Sequence, residues 1–190
     1  MKNIAVFASG SGTNAEKIFE KFQKHPQARV RLLFSNNPKA GVIARAAKYN
    51  IQVCVFDKSI LFHTDDIVTT LKEAEIDLIV LAGFLLKVPD NILKAYPNRI
   101  VNIHPALLPK YGGKGMYGRH VHEAVVAAKE KQSGISIHLC NEHYDEGKMI
   151  LQVSCEVSES DSPEDVAAKV QKLEHQHYPE VVEELVMQLN

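Results

Sequence analysis

The sequence has few cysteines, no long apolar run and no excess of charge of either sign. Its 190 residues include three cysteines, which are too few and too scattered for a disulfide framework or a zinc site. No apolar run reaches the ~18 residues of a membrane span. Lys and Arg number 22 against 23 Asp and Glu, a formal net charge of −1, which argues against a basic nucleic-acid groove.

We also find no signal peptide at the start of the sequence, no internal repeat and no segment biased enough to be disordered. From the cysteine content and the missing signal we expect a cytoplasmic protein in a reducing compartment. We expect one domain over residues 1–190, because domains cluster at roughly 100–200 residues. Apolar residues make up 45% of the chain, as in an ordinary globular domain.

Apolar runs and helical periodicities alternate along the first half of the chain. The runs predict five strands, at Asn3–Ala8, Arg29–Ser35, Ile51–Phe56, Asp77–Ala82 and Ile100–Ile103. Helices are predicted between them, from Ala15 to Phe22 and at Ala40–Tyr49, Asp65–Ala74 and Pro89–Ala95. This alternation predicts an α/β fold with a single open, mostly parallel, Rossmann-like sheet and helices on both faces.

The last third of the chain departs from that alternation. Two segments, Gly134–Cys140 and Met149–Val157, flank a turn-like stretch and predict antiparallel strands added near the C-terminus. Ser162 and Asp165 resemble a capping box, and Pro163 suits the first helical position. We therefore predict a final helix that starts at Ser162.

A glycine-containing loop, SGSGTN at residues 9–14, joins the first predicted strand to the first predicted helix. Glycines let backbone amides approach an anion, and a helix N-terminus adds unpaired N–H groups. The loop is neither a Walker loop nor a full dinucleotide fingerprint, so a single phosphomonoester suits it better than a pyrophosphate. The alternative is a tight turn that needs glycine and binds nothing.

An Asn-x-His-Pro segment ends the fifth predicted strand. Asn102 and His104 leave the same face of an extended chain, and Pro105 favours extended backbone at His104. Ligands bind at this edge of open α/β sheets, where two fixed donors beside a reacting carbonyl form an oxyanion site. The alternative is a buried Asn and His that satisfy backbone groups. Asp145, in the late turn, is either a turn residue or a carboxylate that orients and charges His104.

Five segments occur in an order that resembles a known family. They are SGSGTN after the first strand, LAGF at Leu81–Phe84, NIHPALLPKY at Asn102–Tyr111, DEG followed by ILQ at Asp145–Gln152, and LEH at Leu173–His175. Together they resemble the glycinamide ribonucleotide formyltransferases (phosphoribosylglycinamide formyltransferases), folate-dependent enzymes of purine synthesis. The resemblance runs over essentially the whole chain.

The resemblance implies transfer of a formyl group from 10-formyltetrahydrofolate to the glycyl amine of glycinamide ribonucleotide. It implies a catalytic trio of Asn102, His104 and Asp145. Asn102 and a charged His104 would stabilise a tetrahedral intermediate, while Asp145 would raise the pKa of His104 and assist proton transfer. The expected partners are these two small molecules, without metal, nucleic acid or membrane, and the chain is expected to be a monomer or a homodimer.

The resemblance also implies two sets of binding residues. The ribonucleotide set is Gly12, Thr13, Asn14, Gln171 and Glu174. The folate set is Leu85, Val88, Cys140, Asn141 and Asp145. His138, within the matched region, either lines the pocket or is a satisfied core histidine. The glycine-rich segment Lys110–Gly118 is longer than the common family version and is either a mobile lid over the folate site or an ordinary surface loop.

Other functions are compatible with parts of this pattern. Formyltetrahydrofolate deformylase uses water as the acceptor but typically carries an extra N-terminal domain. Methionyl-tRNA formyltransferase carries an extra C-terminal domain and a basic surface, and we expect neither extension here. A non-catalytic module that binds nucleotide phosphate through the glycine loop alone is the alternative from a different class. The combination of Asn102, His104 and Asp145 argues against that module.

Overall fold

The computed structural model describes residues 1–189, within which seven strands and seven helices are found. The strands are β1 (Lys2–Phe7), β2 (Ala28–Ser35), β3 (Gln52–Val55), β4 (Leu78–Leu81), β5 (Ile100–His104), β6 (Gln132–Leu139) and β7 (Met149–Glu156). The helices are α1 (Thr13–Phe22), α2 (Gly41–Lys48), α3 (Lys58–His63), α4 (Asp66–Glu73), α5 (Asp90–Ala95), α6 (Arg119–Ala127) and α7 (Pro163–Gln188).

The strands form one sheet in the order β3-β2-β1-β4-β5-β6-β7. β1 is parallel to β2 and β4, and β2 is parallel to β3. β6 and β7 are antiparallel. The predicted fold class, a mostly parallel sheet flanked by helices with an antiparallel addition near the C-terminus, is therefore confirmed.

The sequence did not predict two of the helices. In α3, which has six residues, the Asp57 side chain accepts a hydrogen bond from the Ile60 amide at 2.9 Å and caps the N-terminus. In α6 the buried face consists of Val121, His122 and Val125. A polar residue in that face interrupts the apolar stripe, which is why the periodicity did not reveal this helix.

The chain divides into two compact units. The first contains Met1–Val101 together with the chain from Pro179 onward, and the second contains Asn102–Tyr178. The prediction of one domain over residues 1–190 stays a prediction. Within residues 1–189, no helix combines the length and the apolar character needed to cross a membrane.

The first unit has its core around β1 and β4, whose residues from Ile4 to Phe7 and from Leu78 to Leu81 are all buried, as expected for parallel strands covered on both faces. The Phe7 ring stacks on Phe34 with 4.7 Å between centroids and meets Phe84 edge-on at 5.4 Å. Such aromatic pairs contribute about 0.5–1.5 kcal/mol beyond the area that they bury.

Helix ends in both units use left-handed residues other than glycine. Asn50 follows α2 with φ 55°, Glu75 follows α4 with φ 50°, and Lys129 follows α6 with φ 52°. In each case the amide of the left-handed residue bonds back three residues and the next amide bonds back five, as Asn50 and Ile51 do to the Ala47 and Ala46 carbonyls at 3.2 and 3.1 Å. This double hydrogen-bonded ending is the Schellman motif, and at Asn50 it confirms the predicted left-handed position.

In the second unit, Ser136 on β6 fixes the segment that follows β5. Its hydroxyl donates to the Ala106 carbonyl at 2.6 Å and accepts from the Leu108 amide at 3.0 Å. Gln152 on β7 donates to the Leu108 carbonyl at 2.8 Å. Because β6 and β7 both hydrogen-bond this segment, the chain leaving β5 is fixed at Ala106 and Leu108.

The predicted start of α7 is confirmed. The Ser162 hydroxyl accepts from the Asp165 amide at 3.2 Å, and the Asp165 carboxylate accepts from the Ser162 amide at 2.9 Å, which is a capping box. The apolar spacing of this helix predicts a buried stripe of Val166, Val170 and Leu173; the two valines are buried, whereas Leu173 is half-buried.

Gly134 on β6 is required by the close approach of β7. A Cβ at this position would lie 2.0 Å from the Val153 carbonyl oxygen and 2.8 Å from a Leu107 methyl carbon. Since the first of these atoms belongs to the backbone, Gly134→Ala has to separate the two strands. We expect it to lower the free energy of unfolding by about 3 kcal/mol or more, measured by urea denaturation.

The control for this substitution is Gly10→Ala, because an added Cβ there meets no atom within 4 Å. We expect its free energy of unfolding to stay within about 0.5 kcal/mol of the parent protein. Equal stability of the two variants would contradict the strand-contact explanation.

Candidate active site

Four polar side chains meet in the second unit. Asn102 and His104 lie on β5, His138 lies on β6, and Asp145 lies in the segment between β6 and β7. The His104, His138 and Asp145 side chains are only 5%, 2% and 13% exposed. The three residues predicted as a catalytic trio are thus brought together, and His138 joins them.

The His104 ring has a different neighbour at each nitrogen. Nε2 lies 2.7 Å from the Tyr111 carbonyl oxygen. Because a carbonyl can only accept a hydrogen bond, Nε2 carries a hydrogen and donates it. Nδ1 lies 3.6 Å from Asp145 Oδ2 and is the nitrogen that takes up or releases a proton.

His138 connects Asn102 to Asp145. Its Nδ1 donates to the Leu139 carbonyl at 3.0 Å, so in the neutral ring Nε2 has a free lone pair. Nε2 lies 3.2 Å from the Asn102 amide nitrogen and 3.5 Å from Asp145 Oδ1. Asn102 therefore gives one amide hydrogen to His138 and keeps a second one for another acceptor.

Asp145 is held as a carboxylate. Burial acts to raise its pKa, but the close contact with His138, the hydrogen bond from the Gly113 amide and the charges that His104 and His138 carry when protonated together bring the pKa below its ordinary value. The Gly113 amide nitrogen lies 2.9 Å from Asp145 Oδ2. At neutral pH the group beside His104 Nδ1 is thus an anion.

Burial lowers the pKa of His104 below its ordinary value, and the nearby His138 acts in the same direction. Asp145 and the Tyr111 carbonyl raise the pKa of His104 but do not outweigh burial. The rise expected from Asp145 is therefore present, whereas the expected charged form of His104 is wrong for the resting site because removing the ring from water disfavours the imidazolium. His104 is therefore neutral at neutral pH, with its proton on Nε2.

Two residues that contact His104 have strained backbones. Tyr111 and Asp145 both have φ 56°, in the left-handed region that residues with a side chain seldom adopt. Such a conformation costs about 1–3 kcal/mol and persists where the surrounding structure enforces it. At Tyr111 this backbone conformation accompanies a carbonyl bonded to His104 Nε2.

Sequence reasoning missed three groups of this site. The Tyr111 carbonyl and the Gly113 amide belong to the main chain, so no residue type reveals them. The third is His122, which is buried with no hydrogen-bond partner for Nδ1 among the described residues. Burial and then the charge of His104 lower its pKa, so His122 is a neutral neighbour of the site.

The predicted phosphate loop lies in the first unit, between β1 and α1. Gly12 precedes α1 with φ 77°, and a Cβ there would lie 2.4 Å from Val42 Cβ, so packing alone requires glycine. No side chain caps the N-terminus of α1. Asn14 Oδ1 is buried and has no hydrogen-bond partner in the described part of the chain.

The other predicted binding residues lie on several elements. Gln171 is exposed and Glu174 half-buried, three residues apart on α7. In the first unit, Leu85 is 51% exposed and Val88 is 9% exposed, both between β4 and α5. Cys140 and Asn141 follow β6, and Asn141 Oδ1 accepts from the His143 amide at 2.9 Å. Their contacts with ligands stay predictions.

Residues 1–189 contain no group of three or more His, Cys, Asp or Glu side chains arranged to bind a metal ion. Burial raises the pKa of the Cys140 thiol to about 12 and raises those of Cys54 and Cys155. These thiols are protonated at neutral pH and are poor nucleophiles.

Comparison with known proteins points to one family. The profile of the formyl transferase family matches residues 2–182. The phosphoribosylglycinamide formyltransferase of Bacillus subtilis is 35% identical over 191 residues, covering 98% of this chain and 95% of that protein. The chloroplastic protein of the same name from Vigna unguiculata is 40% identical over 189 residues and 97% of this chain. This chain spans 61% of the length of the Vigna protein.

Solved structures agree with these relatives. The crystal structure of phosphoribosylglycinamide formyltransferase from Bacillus halodurans superposes with a TM-score of 0.88 at 38% identity, covering 98% of this chain and 96% of that one. The ordered motifs of the sequence, the sheet order and the family profile all lead to one assignment. The chain belongs to the formyl transferase family.

Proposed function

We propose that this chain transfers a formyl group from 10-formyltetrahydrofolate to the amine of glycinamide ribonucleotide. The observation that carries the proposal is the cluster of buried His104 with half-buried Asn102 and Asp145 in a chain of the formyl transferase family. The relatives from Vigna unguiculata and Bacillus subtilis bear the name phosphoribosylglycinamide formyltransferase. The cluster supplies a base, an amide donor and a carboxylate, which are the groups that acyl transfer to an amine needs.

His104 is proposed as the proton acceptor. The amine nitrogen attacks the formyl carbon, forming a C–N bond while the carbonyl electron pair moves to oxygen. The amine proton passes to Nδ1, which is unprotonated because Nε2 holds the ring hydrogen against the Tyr111 carbonyl. The imidazolium that forms then lies 3.6 Å from the Asp145 carboxylate, which stabilises it.

Asn102 and the newly charged His104 are proposed to stabilise the oxyanion. The second amide hydrogen of Asn102 is available because only one is given to His138. When the intermediate collapses, the carbonyl re-forms, the bond from carbon to N10 of the folate breaks, and N10 receives a proton. His104 returns this proton, which restores the neutral ring for the next reaction.

Features of the first unit support binding of the ribonucleotide phosphate at residues 12–14. The uncapped N-terminus of α1 has the positive end of a helix dipole, and backbone amides at such an end bind phosphate. The Asn14 side chain, in the first turn of α1, carries an amide NH2 group that can donate to that anion. Gln171, Glu174 and the folate set remain proposals from the family resemblance.

The predicted cytoplasmic location and the monomeric or homodimeric state also stay predictions. The requirement for 10-formyltetrahydrofolate is part of the proposal, and the reaction as written uses no metal ion. These points are independent of the chemistry of His104, so a different location or oligomeric state would leave the mechanism unchanged.

Release of tetrahydrofolate tests the function directly. We expect the chain to release tetrahydrofolate from 10-formyltetrahydrofolate only when glycinamide ribonucleotide is present, with one formylated product per folate released. Absorbance measures the folate, and mass spectrometry measures the product. Release without the ribonucleotide would indicate a hydrolase that uses water, and no release would indicate a binding module; either result contradicts the proposal.

Substitutions at the cluster test the proposed roles. We expect His104→Ala and Asp145→Asn each to lower kcat by roughly 10²–10³-fold or more, the usual cost of losing a catalytic donor or base. Ribonucleotide affinity should survive, measured by isothermal titration calorimetry, because the proposed phosphate loop is unchanged. His120→Ala, which removes an exposed histidine of the same unit, serves as the control; near wild-type turnover of either cluster variant would remove this mechanism.

The pH dependence should follow the lowered pKa of His104. Since kcat/KM requires neutral His104 and ionised Asp145, it should fall only below the ordinary histidine pKa of about 6.5. Asp145→Asn removes an influence that raises the pKa of His104, so the His104 ring should titrate at still lower pH in that variant. Nitrogen-15 NMR titration measures this change in the pKa of His104. Asp90→Asn is the control, because it removes a carboxylate of the first unit, at the start of α5. A His104 that titrates above pH ~6.5 in the parent protein would contradict this account.

A further inference from the structure

Glu130 binds two consecutive residues of the glycine-rich segment Lys110–Gly118. Its Oε1 accepts from Lys110 Nζ at 2.8 Å and from the Tyr111 hydroxyl at 3.0 Å. The hydrogen bonds from these two groups lower the pKa of Glu130, so it is an anion at neutral pH. We call Glu130, Lys110 and Tyr111 the Glu130 anchor.

The backbone of Glu130 is itself fixed by the end of α6. Lys129 adopts φ 52°, its amide donates to the Val126 carbonyl at 2.9 Å, and the Glu130 amide donates to the Val125 carbonyl at 3.2 Å. These are the two hydrogen bonds of the Schellman motif. The carboxylate therefore projects from a defined point on a helix end, whereas its partners belong to a loop.

The segment that Glu130 binds needs such a fixed point. Gly113 and Gly115 adopt φ 91° and 89°, and glycine loses more conformational freedom on folding than any other residue. The same segment supplies the Tyr111 carbonyl to His104 and the Gly113 amide to Asp145. Loosening the loop would thus disturb both members of the proposed base and carboxylate pair.

We propose that Glu130 is a positioning residue that acts on His104 through Tyr111. By holding the Tyr111 hydroxyl, it keeps the Tyr111 carbonyl on His104 Nε2 and so fixes the tautomer whose Nδ1 faces Asp145. The inference rests on the proposed function for its effect on turnover. Its effect on the His104 tautomer is measured without substrate. Failure of the positioning role of Glu130 is therefore distinguishable from failure of the proposed function.

A purely structural role makes a different prediction. The Lys110 side chain is 67% exposed and Glu130 is 26% exposed, and exposed ion pairs contribute little to stability. Loss of the anchor should therefore leave the melting temperature nearly unchanged while it alters the His104 ring. If the anchor only stabilised the fold, stability would fall and the tautomer would not change.

Two variants remove the anchor in different ways. Tyr111→Phe removes the hydroxyl and keeps the ring, and Glu130→Ala removes the acceptor. We expect each to lower kcat about tenfold, less than the roughly 10²-fold cost of a 1 Å displacement of a catalytic group, with KM for the ribonucleotide within about twofold. Glu130→Gln retains an oxygen acceptor and should recover most of the lost kcat.

The tautomer is measured by nitrogen-15 NMR of His104 in the protein without substrates, at about pH 8, well above the ordinary histidine pKa. The parent protein should show the hydrogen on Nε2, and Tyr111→Phe and Glu130→Ala should show a mixture of tautomers. Glu159→Ala is the control, because it removes another exposed ion pair of the same unit, that of Glu159 with Lys131 at 2.6 Å. An unchanged tautomer in both variants, or an equal loss of kcat in Glu159→Ala, would overturn the proposal.

Discussion

The hydrogen bond from His104 Nε2 to the Tyr111 carbonyl is the constraint on which the rest of the site depends. It fixes which ring nitrogen holds the hydrogen, and therefore which one faces Asp145. The carbonyl is a main-chain group, so its position is set by backbone conformation, with Tyr111 held in the left-handed region. The chemistry of the cluster thus follows from the path of a loop as much as from the side chains that it contains.

Burial determines how the cluster uses its charges. A carboxylate taken out of water is costly unless hydrogen bonds replace its solvation, and Asp145 accepts one from the Gly113 amide at 2.9 Å. His104 has the opposite response, since burial keeps its ring neutral. An anion beside a neutral base is the resting arrangement that proton removal from an amine requires.

Much of the fold follows from sequence periodicity, because buried parallel strands such as β4 appear as uninterrupted apolar runs. The periodicity did not predict helix α6, because His122 interrupts the apolar residues of its buried face. Spacing alone left Asn102, His104 and Asp145 open to a structural interpretation, and only the ordered family motifs joined them. The expected positive charge on the resting His104 ring was wrong because charge proximity can be inferred from a sequence, whereas depth of burial cannot. The role of the Tyr111 carbonyl could not be predicted from the sequence, because every residue has a main-chain carbonyl.

The occupied Nε2 of His104 limits how protons can travel. A histidine with both ring nitrogens accessible can relay protons, because it gains a proton on one nitrogen and loses a proton from the other. Because Nε2 is hydrogen-bonded to a main-chain oxygen, only Nδ1 of His104 can exchange a proton with the reactants, and the ring holds that proton between the two steps. In the proposed reaction, the incoming amine and the departing folate nitrogen must therefore use the same nitrogen in turn, so the order of the two proton movements is built into the ring.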